Sequence, residues 1–327
     1  MIALRWLSRS DALAAGAGDW SRAIDDVRAT TRLLRAGEAG MVAESVLPMG
    51  PDPRCNAYGL PAFVGGAYDA AGIKWAVHRA APARELPSIT STTFVNRYSD
   101  GRPVGLVESA LLTRMRTAAV TAIAMESLAP KSLRRVAVLG AGAQARAHVE
   151  MLRTLFPEVE AIRIWNRDPG RRDALVAAFA TGGGQLVAAQ SIPQALEEAQ
   201  VVLCCTTATQ PLIGREAVAP GRLIVQVGYN EIGFDLIDAM DHVVVDLWGE
   251  FAERSAKSLF RMYRAGRFEP GRVSADLAGL IVDGWRPREN ASVLFSSFGL
   301  NVFDIALAAR VLRQAEADGL GTMLPLF

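Results

Sequence analysis

Short apolar runs alternate with amphipathic stretches through the second half of the chain. Runs typical of buried strands occupy residues 135–139, 161–165, 185–189, 201–205, 222–227 and 242–246, with helical patterns between them at 146–155, 170–180 and 193–199. Strands that alternate with helices in this way form a parallel sheet with helices on its faces. The pattern therefore predicts an α/β fold with a doubly wound parallel sheet of the Rossmann type.

The beginning and the end of the chain follow a different pattern. Helical periodicity covers residues 19–36, 111–128 and 302–317, and strand-like segments at 59–64, 72–78, 93–96 and 104–107 indicate a mixed or antiparallel sheet. The simplest arrangement inserts a dinucleotide-binding domain, residues 117–302, into a smaller α+β domain built from residues 1–116 and 303–327. We expect the active site in the cleft between them, at the carboxyl ends of the parallel strands.

A glycine pattern directly follows the first of the parallel strands. Gly140, Gly142 and Ala145 match G-x-G-x-x-(G/A) where a strand turns into a helix. The first glycine permits the tight turn, and the second lets the backbone approach a pyrophosphate that lies on the helix N-terminus. The pattern favours a bound dinucleotide over an unliganded turn, and we expect Ala143 and Gln144 to contact it as well.

The end of the second strand distinguishes between the two nicotinamide cofactors. NAD enzymes place an acidic residue there for the ribose 2′-hydroxyl, but here Asn166 and Arg167 follow the strand, with Arg171 and Arg172 close behind. A guanidinium binds a 2′-phosphate through a bidentate fork. We therefore expect NADP(H), with NAD(H) as the alternative; Arg171 and Arg172 equally suit a solvated helix face.

Composition excludes several classes of function. The chain has 327 residues, enough for about two domains, and its net charge of +1 gives no basic surface for nucleic acid. No apolar stretch approaches the ~20 residues that span a bilayer. Three cysteines, two of them adjacent in an apolar run, suit a reducing cytoplasm. The three histidines and the cysteines form no metal-binding pattern, and hydrolase motifs are lacking.

Charged residues in apolar surroundings are the candidates for substrate binding. Lys74 lies in a strand-like apolar run and Arg116 in a helix otherwise rich in apolar and small residues. Such charges are costly unless they are paired or face a cleft, although Lys74 could also extend to solvent and Arg116 could lie on a solvated helix face. Together with Arg54, on a proline-rich loop, they suit a substrate that carries a carboxylate.

Over nearly its whole length the chain resembles the ornithine cyclodeaminase/mu-crystallin family. The motifs that carry the resemblance are Gly72-Ile73-Lys74, the segment from Leu112 to Ala119, the glycine pattern, Cys205-Thr206-Thr207, and the segment from Gly299 to Asp304. The resemblance implies a nicotinamide cofactor that interconverts amine and imine at the α-carbon of an amino acid. It also implies that Lys74 and Arg116 hold the carboxylate, and that the protein is a homodimer through its non-nucleotide domain. Further cofactor contacts are expected at Thr117, Thr206, Thr207, Val227 and Gly228.

Within the family, the chain is most similar to the dehydrogenases of siderophore and peptide-antibiotic pathways that form 2,3-diaminopropionate. The similarity rests on four segments, 65–75, 209–213, 243–248 and 320–327. It implies oxidation of N-(2-amino-2-carboxyethyl)-L-glutamate and hydrolysis of the imine to 2,3-diaminopropionate and 2-oxoglutarate. Asn166 and Arg167 depart from this branch and favour the reductive direction.

A second departure concerns the proton carrier. Cyclodeaminases carry a catalytic aspartate in a V-G-small-D pattern, whereas this chain has Val227-Gly228-Tyr229-Asn230-Glu231. Because Asn230 does not titrate, cyclisation of ornithine is in doubt. Glu231 supplies the nearest carboxylate and Lys74 is its rival as proton carrier, while Glu231 as a solvent-facing loop residue is the alternative.

Three other functions therefore remain open beside the diaminopropionate-forming dehydrogenase. They are an NADPH-dependent ketimine or imine reductase, an ornithine cyclodeaminase, and a non-catalytic protein that binds NADPH and a small ligand, as in the crystallin branch. The titratable residues Lys74, Arg116 and Glu231 favour an enzyme over the binding protein.

Overall fold

A computed structural model describes residues 3–52, 55–80, 83, 85–182 and 184–326. The chain divides into two compact units, one formed by residues 1–116 and 300–327 and the other by residues 117–299. None of the helices in these described ranges is long and apolar enough to cross a bilayer.

The elements of the chain follow one another in this order. The first stretch contains β1 (Ala3–Leu7), α1 (Arg9–Ala14), α2 (Trp20–Arg35), β2 (Ala39–Met41), β3 (Ser45–Pro48), β4 (Asn56–Val64), β5 (Ala70–His78), β6 (Ile89–Arg97), β7 (Pro103–Glu108) and α3 (Ala110–Leu128). The middle contains β8 (Arg135–Leu139), α4 (Ala143–Leu155), β9 (Ala161–Trp165), α5 (Pro169–Ala178), β10 (Gln185–Ala188), α6 (Ile192–Leu196), β11 (Val201–Cys204), β12 (Leu223–Gln226), α7 (Phe234–Ala239), β13 (His242–Val245), α8 (Ser258–Arg264), β14 (Val273–Ala275), α9 (Leu277–Ile281) and β15 (Val293–Ser296). The end contains α10 (Asn301–Ala317) and β16 (Thr322–Pro325).

The described part of the first unit is built on a mixed sheet of eight strands. Its order is β16-β1-β7-β6-β5-β4-β2, with β3 also paired to β4. The β1–β7 pair is parallel and the other pairs are antiparallel. The largely buried helix α10 packs against β4, β5 and β6. The mixed sheet expected from the strand pattern is therefore present, with the C-terminal helix on one of its faces.

Strand register assigns the side chains of β5 to the two faces of this sheet. Lys74 is opposite Leu60 on β4 and Thr93 on β6, so these three side chains share one face. Lys74 is buried, whereas its neighbours Ile73 and Trp75 are exposed on the opposite face. The alternation of strand side chains thus buries a lysine beneath α10 and leaves apolar groups outside.

The second unit has the predicted α/β architecture. In its described part, eight strands form a sheet in the order β10-β9-β8-β11-β12-β15-β13-β14, and every pair is parallel. The strand order reverses direction between β8 and β11, and ligands of such sheets bind at the carboxyl ends of the strands on either side of that point. One central strand, β15, was not predicted, because four residues separated from the other strands by irregular chain carry no usable periodicity.

Candidate functional site

The turn after β8 has the geometry of a pyrophosphate-binding loop. Gly140 has φ 123°, and a Cβ there would collide with the carbonyl oxygen of Cys205. Gly142 is the N-cap of α4, no side chain caps the helix, and a Cβ on Gly142 would meet no atom beyond its chain neighbours within 4 Å. The first amides of α4, beginning at Ala143, therefore have no side-chain cap and can donate to an anion. The next residue, Gln144, has a buried Oε1 without a hydrogen-bond partner among the described residues.

The end of β9 presents one unpaired cation. Arg167 is exposed and forms no ion pair with the residues that the structure describes. Asn166 Nδ2 donates to the carbonyl of Asp168 at 2.9 Å, and Arg171 Nε lies 3.8 Å from the Asp168 carboxylate. Arg172 is buried and donates to the carbonyl of Ala189, so the solvated helix face expected for it is wrong. Arg167 is thus the arginine at this strand end that has no ion pair with a described residue.

The loops after β11 and β12 touch each other at the same sheet edge. The amides of Val227 and Gly228 both donate to the carbonyl of Cys204 at 3.0 Å. A Cβ on Gly228 would collide with the carbonyl oxygen of Thr206 and with the Glu231 carboxylate. The backbone approach that brings these expected cofactor residues together therefore needs a glycine. Thr207, which follows, is exposed, and Thr117 is buried on α3.

Glu231 is fully buried in the second unit, so it is not a solvent-facing loop residue. Its Oε1 accepts the amide of Thr206 at 3.1 Å, and its Oε2 has no hydrogen-bond partner among the described residues. Burial raises the pKa of Glu231, although the charge of Lys257 opposes the rise. The neighbouring Asn230 is anchored by a bond from its Nδ2 to the carbonyl of Thr209. The loop after β12 therefore holds a buried carboxyl group whose pKa lies above its ordinary value.

Lys257 is a functional candidate that sequence patterns did not indicate. Its side chain is 1% exposed, and Nζ donates to the carbonyls of Gln226, Val227 and Gly228 at 3.1, 2.8 and 2.5 Å. These bonds fix the backbone of the loop after β12. The residue lies in a short polar stretch without periodicity, so no local signal marks its burial.

In the first unit, two cations share one buried carboxylate. Lys74 Nζ lies 2.7 Å from Asp304 Oδ2, and Arg116 Nε lies 3.3 Å from Asp304 Oδ1. All three side chains are buried. The Nη1 and Nη2 atoms of Arg116 form no hydrogen bonds with the described residues. The cluster therefore has one positive charge in excess, and the free fork of the guanidinium suits a carboxylate.

Lys74 and Asp304 are both ionised at neutral pH. Burial, only partly offset by Asp304, lowers the pKa of Lys74 to about 8. Burial also opposes ionisation of Asp304, yet the charges of Arg116 and Lys74 hold the pKa of that carboxyl below its usual range. Lys74 can therefore exchange a proton slightly above neutral pH while Asp304 remains charged.

Further titratable residues surround the three. Glu44, which precedes β3, is half-buried, and burial raises its pKa against the charges of Lys74 and Arg116. On the same face of the sheet, the rings of Tyr58 and His78 are 4.8 Å apart. Burial and the charge of Lys74 lower the pKa of His78, so its ring is neutral at pH 7.

The structure places Lys74 and Arg116 together, as expected. The residue that joins them is Asp304, which pairs with both and was not proposed for the site. Asp304 is separated from Lys74 by 230 positions, and in the sequence it marked only the end of one segment that carries the family resemblance. Glu44 had no signal in the sequence beyond being one acid in an apolar stretch. Arg54 lies outside the described residues. No group of side chains in the described ranges could hold a metal ion.

Comparison with known proteins places the chain among nicotinamide-dependent enzymes. The model of the ornithine cyclodeaminase/mu-crystallin family matches residues 21–319. The N-((2S)-2-amino-2-carboxyethyl)-L-glutamate dehydrogenase of Staphylococcus aureus is 25% identical over 274 residues, 82% of this chain and 81% of the relative. The ketimine reductase mu-crystallin of Macropus fuliginosus is 31% identical over 242 residues, 73% of each chain.

The fold is also found among solved structures. The Thermococcus litoralis Δ1-pyrroline-2-carboxylate reductase, in complex with NADH and L-proline, superposes with a TM-score of 0.87 at 21% identity. The superposition covers 98% of this chain and 99% of that chain. At this level of identity the likeness shows a common fold over the full length of both proteins.

Proposed function

Because the chain belongs to the ornithine cyclodeaminase/mu-crystallin family, we propose that it is an NAD(P)-dependent oxidoreductase acting at the C–N bond of an amino acid or its imine. The observation that carries the proposal is the buried cluster of Lys74, Arg116 and Asp304, whose excess positive charge fits one substrate carboxylate. A buried charge without a counter-charge is costly. A ligand carboxylate that pairs with the excess positive charge therefore explains the cluster better than a purely structural role does.

The second unit offers the residues that would hold the cofactor. The free amides at the start of α4 fit the pyrophosphate, and the close approach of Gly140 to Cys205 keeps the turn tight. Arg167 and Asn166 would meet the 2′-phosphate of NADP, while Thr117, Thr206, Thr207, Val227 and Gly228 are proposed as further contacts. When bound, the nicotinamide accepts or supplies a hydride.

The residues of the first unit bind and orient the substrate. The fork of Arg116 and the ammonium of Lys74 hold the α-carboxylate, and Asp304 fixes both cations. Oxidation of an amine removes a hydride from carbon and a proton from nitrogen. Lys74, with a pKa of about 8, and Glu231, with its pKa raised by burial, are the two groups proposed to carry that proton.

The specific reaction proposed is the oxidation of N-(2-amino-2-carboxyethyl)-L-glutamate. The α-carbon of its glutamate part gives a hydride to NAD(P)+ and the secondary nitrogen loses a proton, which leaves a C=N bond. Water then adds to the imine and releases 2,3-diaminopropionate and 2-oxoglutarate. Such a product would serve siderophore or peptide natural-product biosynthesis. The staphylococcal relative, which carries this activity in its name, supports the proposal.

An absorbance assay tests this reaction. The purified protein is given the substrate with NAD+ or NADP+, and formation of reduced nicotinamide is followed together with 2-oxoglutarate and 2,3-diaminopropionate. The expected result is equal amounts of the three products. Consumption of substrate without 2-oxoglutarate, or lack of any turnover with either cofactor, would contradict the proposal.

The second candidate is an NADPH-dependent reductase of ketimines or imines. The unpaired Arg167 and the neutral Asn166 favour it, because cells keep NADP mostly reduced for reductive reactions, and the mu-crystallin relative is named a ketimine reductase. Oxidation of NADPH by cyclic imino acids would identify this activity.

Ornithine cyclodeaminase is the third candidate, and Asn230 in place of a titratable residue weighs against it. Ligand binding with no change in nicotinamide absorbance would indicate a non-catalytic binding protein.

We also propose that the protein is a homodimer through the first unit. The sheet face opposite α10 carries exposed apolar side chains, among them Leu47, Ile73 and Trp75, which are 56%, 38% and 47% exposed. Leu47 lies on β3, and Ile73 and Trp75 lie on β5. The strand β4 between them presents Gly59, where an added Cβ would contact both Ile73 and Trp75. A contiguous apolar face of this kind marks an interface.

A further inference from the structure

Glu44 lies in the first unit beside the sheet that carries Lys74, and it interacts with both cations that are proposed to bind the carboxylate. Glu44 directly precedes β3, whose first residue Ser45 is opposite Gly59 of β4. The next residue of β4, Leu60, is opposite Lys74. Its carboxylate is half-buried, interacts electrostatically with both Lys74 and Arg116, and forms no hydrogen bond or ion pair with a described residue. An acidic group is thus built into a site that is proposed to bind an acid.

Once an ionised Glu44 is counted with Lys74, Arg116 and Asp304, the positive and negative charges already cancel before a ligand binds. Lys74 and Arg116 contribute two positive charges, and Asp304 and Glu44 contribute two negative charges when ionised. A substrate carboxylate on the cations would be a third negative charge within a buried cluster. Glu44 would then have to take up a proton, or a positive group of the ligand would have to accompany the carboxylate.

We propose that Glu44 is a specificity-determining residue that holds an ammonium group of the substrate, while Lys74 and Arg116 hold its carboxylate. The proposal rests on the proposed function for the position of the carboxylate. The half-buried aromatic rings of Tyr58 and His78 border the same region and shield such a pair from water. An orphan hydroxyl supports a polar ligand here: Ser91 Oγ is buried without a partner among the described residues, and Ser91 shares the face of Lys74 on the adjacent strand β6.

This ammonium is not the nitrogen that reacts. Loss of hydride from carbon requires the lone pair of a neutral nitrogen to form the C=N bond, and a carboxylate beside that nitrogen would keep it protonated. Glu44 therefore selects substrates with a second amine. N-(2-amino-2-carboxyethyl)-L-glutamate has this chemistry, since its primary amine stays intact while its secondary amine is oxidised.

Two compounds that differ by one amine test the inference. N-(2-amino-2-carboxyethyl)-L-glutamate is compared with N-(2-carboxyethyl)-L-glutamate, which lacks the primary amine, as substrates of the wild type, of Glu44→Gln and of Glu38→Gln. Glu38 is an exposed glutamate of the same unit and controls for loss of one negative charge. The wild type and Glu38→Gln should prefer the amine-bearing compound in kcat/KM by about 10- to 100-fold, the range of one charge-assisted hydrogen bond. Glu44→Gln should lose most of this preference.

Binding to protein loaded with reduced nucleotide separates this inference from the proposed reaction. Because a reduced nicotinamide cannot accept a hydride, calorimetry then measures affinity without turnover. If neither compound is oxidised but the amine-bearing one binds more tightly and only through Glu44, the reaction is wrong and the role of Glu44 stands. Equal affinity of the wild type for the two compounds, lack of binding of either, or an equal loss for both in Glu44→Gln would overturn it.

Discussion

At the scale of single residues, the free fork of Arg116 decides how a carboxylate is held. Nε is engaged by Asp304, and the two terminal nitrogens remain for the ligand. Lysine at this position keeps the charge but offers no bidentate geometry. We expect Arg116→Lys to lower kcat/KM at least about tenfold, with a higher KM, because charge-assisted bidentate bonds are the strong ones. Steady-state kinetics with titration of the nucleotide measure this.

Nucleotide affinity is the internal control for that substitution, since the cofactor residues belong to the second unit. It should remain within about twofold of the wild type, and thermal unfolding should change little because the lysine still pairs with Asp304. Full activity of Arg116→Lys would show that Arg116 is only a structural partner of that carboxylate.

Glu231 is the residue whose proton-carrying role can be assigned from pH dependence. As a base in amine oxidation it works only when ionised, so the rate must fall as pH falls through its pKa. Burial raises that pKa above the ordinary value of a glutamate, which moves the limb toward neutral pH. We expect Glu231→Gln to lose this acid-side limb in single-turnover measurements of the hydride step.

The result also separates Glu231 from Lys74. A limb near pH 8 belongs to Lys74 and should persist in Glu231→Gln, because the pKa of that lysine is about 8. Persistence of the acid-side limb, with nucleotide affinity intact, would leave Lys74 as the single proton carrier of the pair.

At the scale of secondary structure, local pattern sufficed for the long or regularly spaced elements. Helix α2 and the strands from β8 to β13 were expected near their observed positions, because amphipathic periodicity and strand–helix alternation are local signals. The short strand β15 has no such signal, although it occupies a central place in its sheet. Element type was therefore predictable where the hydrophobic pattern is regular. It was not predictable where a short segment becomes a strand through its tertiary contacts.

The same limit applies to the candidate site. Lys74 and Arg116 stand out because charge in an apolar element is unusual. Asp304, Glu44 and Lys257 are equally part of the candidate site, but each interacts there with residues that are distant in the sequence. The sequence shows which charged side chains need a partner. Which residue becomes that partner depends on strand register and helix packing, and these are not local properties of the sequence.

The junction of β9 and α5 makes a prediction about cofactor choice. Arg167 is exposed at this junction and has no ion pair with a described residue, whereas Arg171 lies 3.8 Å from the Asp168 carboxylate and Arg172 donates to the carbonyl of Ala189. Arg167→Ala should lower the affinity for NADPH about tenfold or more, because a charge-assisted hydrogen bond to the 2′-phosphate is lost. NADH, which lacks that phosphate, should bind nearly as before and serves as the control in fluorescence titrations. An equal loss for both nucleotides, or tighter binding of NADH by the wild type, would contradict the assignment of NADP.

At the scale of the whole molecule, the open face of the first sheet sets the expected assembly. Trp75 and Ile73 project from β5 on the face opposite Lys74, so one strand serves both the buried cluster and the exterior. An aromatic side chain at the centre of an interface often carries much of the binding energy. Trp75→Asp should therefore convert the dimer to a monomer at micromolar concentration, as measured by sedimentation velocity. Leu13→Asp on α1 is the matched control, since Leu13 is also 47% exposed but lies on a helix away from that face, and it should stay dimeric. A wild type that sediments as a monomer, or a Trp75→Asp variant that remains a dimer, would contradict this interface.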